Sequence, residues 1–276
     1  MGDLTIPHAG VALSVTDDGD PDGPAVVLLH GLTAVRRYVV MGSSALPRGG
    51  HRVVGYDARG HGRSSPAPSP AEYRYEDLVG DLGAVLDGLE IDRAVFAGAS
   101  MGAHTLLSFA LAHPERVAGV VVITPAYTDR ASTTDPARLA KWDALSDGLR
   151  SGGIEGFLAA QGEPTVPGRW AETVRTVITQ RMSQHEHLDA VADALHAVPR
   201  SPPFPALADL AAIDAPAVVI ASEDGPDPDH PLATGIAYAQ TIPGARLQRD
   251  EPGRSPIAWQ GSQLSRIIAD VVARTR

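Results

Sequence analysis

The residues best suited to covalent chemistry stand together in Gly98-Ala99-Ser100-Met101-Gly102. They fall where an apolar run, Arg93–Ser100, meets the helical spacing of Met101–Ala112. A serine at so sharp a strand-to-helix turn must take strained backbone angles, and glycines two before and two after it let strand and helix pass closely. Its hydroxyl then stands above the carboxyl edge of a sheet, where a helix N-terminus stabilises negative charge. Such a serine can act as a nucleophile, provided that a base takes its proton and a carboxylate holds the base. Ten histidines supply candidate bases. The absence of cysteine excludes disulfides, thiolate metal sites and a thiol nucleophile, and Lys141, the sole lysine, is all that Schiff-base chemistry would have.

The elements that must position these residues are legible as short apolar runs. Ala25–His30, Arg52–Ala58, Arg93–Ser100 and Val117–Ala126 read as buried strands, and Tyr73–Leu89 between them carries Leu78, Leu82, Val85, Leu86 and Leu89 on one helical face. Alternating strand and helix predict a parallel sheet covered on both sides. Val11–Val15 alternates like a strand and leads into Asp17–Gly23, read as a hairpin turn. From Asp135 to Ala208 no strand-like run occurs. Amphipathic segments at Ala137–Arg150, Ile154–Gln161, Trp170–Gln184 and Leu188–Ala197 form a helical insertion, and Pro199–Pro205 makes a stiff exit. Alternation resumes with strand Ala217–Ser222, helix Pro231–Thr241, strand Ala245–Arg249 and helix Gln263–Val272.

Composition narrows the field. With 276 residues, 43% hydrophobic and 20% charged, the chain fits a packed globule rather than a disordered polymer. The formal net charge of −10 argues against a nucleic-acid partner, which needs clustered cations. No run approaches the roughly 18 apolar residues of a membrane span, and the N-terminus lacks the basic start and apolar core of a signal peptide. A soluble, cytoplasmic protein with a small-molecule substrate and no cofactor is expected. Asp18-Gly19-Asp20-Pro21-Asp22-Gly23 matches half of a calcium loop, yet Leu29 stands where a bidentate glutamate is required, so no metal is expected. The acidic stretch Glu223, Asp224, Asp227, Asp229, His230 matches no ligand spacing either.

Two further motifs join the elbow. His30-Gly31 follows the first long strand, and Tyr56-Asp57-Ala58-Arg59-Gly60-His61-Gly62-Arg63-Ser64 follows the next. With the elbow and the helical insertion, they make the chain resemble the α/β-hydrolase fold family over nearly its whole length. The resemblance implies an α/β fold with a mostly parallel central sheet and helices on both faces, a core formed by residues 1–126 and 209–276, and a helical cap at 127–208. It also implies that Ser100 is the nucleophile and that the backbone N–H groups of Leu32 and Met101 form an oxyanion hole, where fixed neutral donors stabilise an alkoxide. The family's acid would follow strand Ala217–Ser222, at Asp224, with Glu223 as its competitor.

The chain departs from the family at the base. That residue is a histidine on the loop after the last strand, but here Glu251-Pro252-Gly253-Arg254-Ser255-Pro256 puts Arg254 at the position, and no histidine follows His230. A guanidinium stays protonated and cannot accept the serine proton. His230, in Asp229-His230-Pro231 on the loop that carries Asp224, is the first candidate to replace it. His185 or His187 could reach down from the insertion, although a solvated helix face is their plainer place. His30 and His104 lie near Ser100, where steadying the oxyanion loop and packing a helix are the plainer roles. A site without a histidine base is the last alternative. There Arg254, with His30, would bind an anionic group of the substrate, against the plainer role of a salt bridge to Asp224.

Three functions therefore stand open. One is a serine hydrolase of small esters, lactones, amides or activated carbon–carbon bonds, whose cap excludes polymers. The second is a ligand-binding pseudo-enzyme on the same fold, and the third a lyase, isomerase or transferase that uses Arg254 without an acyl-serine. Trp142, Phe157 and Trp170 on the insertion would line its pocket or pack it onto the body.

Overall fold

The computed structural model describes residues 3–163, 166, 168–222, 230–249 and 261–275. Among them, eight strands form one sheet: β1 (Leu4–His8), β2 (Val11–Gly19), β3 (Ala25–Leu29), β4 (Arg52–Tyr56), β5 (Ala94–Ala99), β6 (Val117–Ile123), β7 (Ala217–Ala221) and β8 (Arg246–Arg249). The spatial order is β1-β2-β4-β3-β5-β6-β7-β8. The β1–β2 and β2–β4 pairs are antiparallel, and every later pair is parallel.

Parallel strands need crossover connections, and the helices that supply them cover both faces. These helices are α1 (Ala45–Arg48), α2 (Tyr75–Gly88), α3 (Met101–Ala112), α4 (Pro136–Gln161), α5 (Gly168–Met182), α6 (Leu188–Ala197), α7 (Leu232–Thr241) and α8 (Gly261–Ala273). The strand period of two divides the core: Val27, Leu29, Phe96 and Val122 pack with Leu82, Leu86 and Leu106 of α2 and α3. Val26, Leu28, Val95 and Val121 pack on the other face with Leu264, Ile268 and Val271 of α8.

The edge departs from the expected hairpin at Asp17–Gly23. Strand β2 continues through Asp17 and Asp18 to Gly19, and its partner is β4, with Asp17 opposite Val54. The reason is electrostatic and non-local: the Arg52 guanidinium binds the Asp17 carboxylate at 2.7 Å, holding those acidic residues in the ladder. The chain turns only afterwards, where Gly23 N–H donates to Asp20 O at 3.0 Å. Strand β1 carried no periodic signal in the sequence, since Ile6 is its one buried residue.

Helices α4, α5 and α6 occupy the insertion. Asp135 caps α4 by accepting the Ala137 N–H at 3.0 Å, with Pro136 in the first turn. Gly153, with φ 58°, breaks α4 where the sequence separates Ala137–Arg150 from Ile154–Gln161. Leu145, Leu149, Phe157, Met182, Val191 and Leu195 form an apolar cluster that also contains Leu32, Tyr75 and Met101, so the insertion packs directly over the end of the sheet that bears Ser100. Phe157 is inside this cluster and Trp142 at its margin, which makes them packing residues.

Arg59, from the glycine-rich stretch after β4, is wholly buried, and its Nε and Nη2 both donate to the Asp81 carboxylate at 2.7 Å. Asp81→Leu would leave the buried guanidinium only Asp77, with a carboxylate oxygen 3.7 Å away, and the Glu72 carbonyl, and is expected to cost about 3 kcal/mol in urea unfolding. Asp87→Ala, which removes the solvent-exposed partner of Arg116, should cost less than about 1 kcal/mol. Equal costs would contradict the buried pairing.

Candidate active site

Ser100 sits between β5 and α3 with φ 49° and ψ −108°, a conformation that costs a non-glycine residue strain. Its N–H donates to Ile123 O at 2.9 Å, and His104 N–H donates back to Ser100 O at 3.0 Å, so neighbouring strand and helix both hold the turn. The flanking glycines are required by contact: a Cβ on Gly98 would stand 2.4 Å from Gly102 O, and one on Gly102 would stand 2.3 Å from Leu29 O. Close passage of β3, β5 and α3 is what aims the serine at the carboxyl edge.

His230, immediately before α7, brings Nε2 to 2.9 Å from Ser100 Oγ. Helix α7 is seated tightly enough to define that distance. Tyr238, fully buried, donates to Tyr127 O at 2.7 Å, and a Cβ on Gly235 would meet Ala221 Cβ at 2.6 Å. Both Ser100 and His230 are half-buried, reachable by a ligand yet partly shielded from water.

The loop after β3 approaches from the other side, where a Cβ on Gly31 would lie 3.6 Å from Ser100 Cβ. The N–H groups of Leu32 and Met101 donate to no described residue. Three buried histidines brace this loop. His30 Nδ1 faces Gly31 O at 2.8 Å while Nε2 accepts the Ala58 N–H at 2.9 Å, which places its proton on Nδ1. His61 lies between Arg59 O and Leu32 O, at 2.9 and 2.7 Å. His185 Nδ1 accepts the Gly62 N–H at 2.9 Å. The rings follow one another at centroid distances of 5.2 and 5.5 Å. Burial lowers the pKa of His30 and of His185 to about 3, and lowers that of His61 against the pull of its two carbonyl partners.

The candidates thus separate. Ser100 and His230 meet, and Leu32 and Met101 flank them. His30 spends both ring nitrogens on backbone, so it shapes the oxyanion loop and has no nitrogen left for a substrate. His104 likewise accepts the Ala126 and Tyr127 N–H groups at Nε2, at 3.1 and 3.2 Å, and meets Tyr75 Oη at Nδ1. His185 is buried in a loop rather than solvated on a helix, because it ties the insertion to Gly62. His187 precedes α6, half-buried. Asp224, its competitor Glu223 and Arg254 lie outside the described residues. Sequence reasoning quoted His61 only within its motif and gave it no role; the glycines beside it, with φ of 70° and 52°, are the local sign that its loop is specially shaped. Among the described residues no cluster of His, Asp or Glu could hold a metal, and no helix is long and apolar enough to cross a membrane.

Comparison with known proteins places the fold. The family model described as alpha/beta hydrolase fold matches residues 24–165. Epoxide hydrolase B of Mycobacterium tuberculosis is 40% identical over 123 residues, covering 44% of this chain and only 35% of that protein. A protein of Variovorax paradoxus named as a carbamate hydrolase, RutD, is 32% identical over 209 residues, covering 75% of this chain and 76% of the relative. The crystal structure of a hydrolase from Pseudomonas aeruginosa PA01 superposes with a TM-score of 0.74 at 25% identity, over 99% of this chain and 97% of that one. With its elbow serine, its parallel sheet and a family match over just over half its length, the chain belongs to the α/β-hydrolase fold family.

Proposed function

We propose that this protein is a serine hydrolase of small esters, lactones or amides in which His230, from the loop before α7, replaces the histidine that the family carries after its last strand. The observation that carries the reading is the 2.9 Å contact between Ser100 Oγ and His230 Nε2. In this reading His230 takes the serine proton as Oγ attacks the substrate carbonyl. The Leu32 and Met101 amides receive the developing oxyanion. His230 then protonates the leaving group, and a water that it deprotonates releases the acyl group from Ser100. Asp224, six residues before His230, is the carboxylate proposed to hold the imidazolium, and Arg254 is proposed to bind an anionic substrate group. Hydrolytic names among the relatives support the reaction class, and the apolar roof of the insertion favours a small substrate. The proposed protein is a cytoplasmic enzyme without cofactor.

A serine-directed fluorophosphonate tests this directly. The wild type should be labelled, Ser100→Ala should not, and His230→Ala should react much more slowly. Absence of labelling of the wild type between about pH 6 and 9 would turn the reading towards a ligand-binding pseudo-enzyme.

A further inference from the structure

Leu32, whose amide is one of the two proposed oxyanion donors, lies between two peptide planes that share its Cα, and a histidine meets each of them. The plane carrying its N–H is held at Gly31 O, which faces His30 Nδ1 at 2.8 Å and also accepts the Ala34 N–H at 2.9 Å. The plane that follows is held at Leu32 O, 2.7 Å from His61 Nε2, and no other donor reaches that oxygen among the described residues. A plane held at one oxygen can swing about it, so the second anchor decides where the Leu32 N–H points. Leu32 and His61 are both buried, where a carbonyl that loses its partner has no bulk water to replace it.

His61 faces two carbonyl oxygens, Arg59 O at Nδ1 and Leu32 O at Nε2, and burial favours the neutral ring, which has a single proton to give. The shorter contact marks Nε2 as the nitrogen that carries it, so His61 donates to Leu32 O. Core and insertion build its seat together. A Cβ on Gly60 would meet Ala190 Cβ of α6 at 2.9 Å, and one on Gly62 would meet Asp57 Oδ2 at 2.2 Å. The Gly62 N–H donates to His185 Nδ1 and the Glu186 N–H donates to Gly62 O, both at 2.9 Å. Arg181, in the last turn of α5, donates to Thr33 Oγ1 at 3.1 Å. The end of α5 and the segment after it therefore grip both the residue after His61 and the residue after Leu32.

We propose that His61 is a positioning residue for the oxyanion hole: its Nε2–H fixes the Leu32 amide toward the developing negative charge, and the insertion, through Gly62 and Thr33, keeps His61 and Leu32 in register. Neither contact needs to touch substrate. The role rests on the acyl-serine reading, so its effect belongs to the chemical step and not to substrate affinity. His30 differs, because the Ala34 N–H still holds Gly31 O in its absence.

Two substitutions separate the donor from the bulk of the ring. His61→Leu fills the seat without a donor and should lower kcat for 4-nitrophenyl butyrate by about 10–10²-fold with KM changed less than about twofold, a little short of losing one oxyanion donor outright. His61→Gln, whose side-chain amide can donate to Leu32 O, should recover most of that loss. Replacing the ester carbonyl oxygen by sulfur gives a readout that instability alone does not move. Sulfur accepts hydrogen bonds weakly, so the wild type should prefer the oxo ester to its thionoester, and His61→Leu should lower that preference about fivefold or more. Ile268→Ala, which loosens the distant α8 face, should lower the urea midpoint and leave the preference unchanged. An unchanged preference in His61→Leu, a loss confined to KM, or equal losses in His61→Leu and His61→Gln overturns the role. The ring ¹⁵N shifts of wild-type His61, assigned by their disappearance in His61→Gln, decide the bond even if His61→Leu does not fold: an Nε2–H tautomer is expected, and an Nδ1–H tautomer overturns the anchor. A wild type that fluorophosphonate never labels rejects the acyl-serine reading and the positioning with it, whereas a labelled wild type with an Nδ1–H tautomer or an unmoved preference rejects the positioning alone.

Discussion

His230→Ala is expected to lower ester turnover by about 10³–10⁴-fold, Ser100→Ala to lower it at least as much, and the double variant to lose no more than Ser100→Ala alone. The reason is that base and nucleophile act as one unit: once either is gone, the other has nothing to do. Oxyanion donors and substrate binding survive both changes, so residual catalysis should persist. Initial rates with 4-nitrophenyl esters, corrected for background hydrolysis, measure all three. Because His30, His104 and His185 are held by backbone groups, their replacement should alter stability more than the chemical step. Losses that multiply in the double variant, or a His230→Ala enzyme with near-normal turnover, would reject His230 as the base.

Acidification is expected to destabilise the protein steeply from about pH 6.5 downward, before its carboxylates begin to protonate. His30, His104 and His185 have folded-state pKa values lowered from 6.5 to about 3 by burial. As pH falls below the ordinary value, the unfolded chain binds protons that the native state refuses. Their stabilisation is therefore present above about pH 6.5 and is lost as pH falls towards 3, at up to about 1.4 kcal/mol per pH unit for each group. Three such groups can exhaust the stability of a domain, about 5–15 kcal/mol, before pH 4. Urea midpoints at pH 7, 6 and 5 should fall steeply. Replacing His185 with asparagine, which retains an acceptor for the Gly62 N–H, should flatten the slope by about one group's share. A midpoint unchanged between pH 7 and 4.5 would contradict the buried neutral rings.

The same histidines mark the boundary of what can be read from residues alone. As a letter in the sequence, His104 is a candidate base. In the fold its two nitrogens face Tyr75 and the amides of Ala126 and Tyr127, and it becomes a fixed strut. His185 looks like a solvated helix residue, yet it accepts the N–H of Gly62 from 123 positions away. Arg59 has no sequence-local partner, and only packing of α2 on the sheet supplies Asp81. Asp17 and Asp18 have the composition of a turn, but Arg52 holds Asp17 in a strand.

The sequence by itself determined the parallel sheet, through apolar runs that no half-exposed strand would tolerate, and the elbow at Ser100, whose glycine spacing can be read locally even though Gly102 makes room for Leu29 of β3. Only the tertiary structure decided which of ten histidines meets that serine. Ser100 and His230 are 130 positions apart, and the 2.9 Å between them is set by α7 closing on β7 through Gly235 and by Tyr238 reaching the loop after β6. Local spacing can specify a turn, but a hydrogen bond across the fold requires every intervening packing contact to be in place.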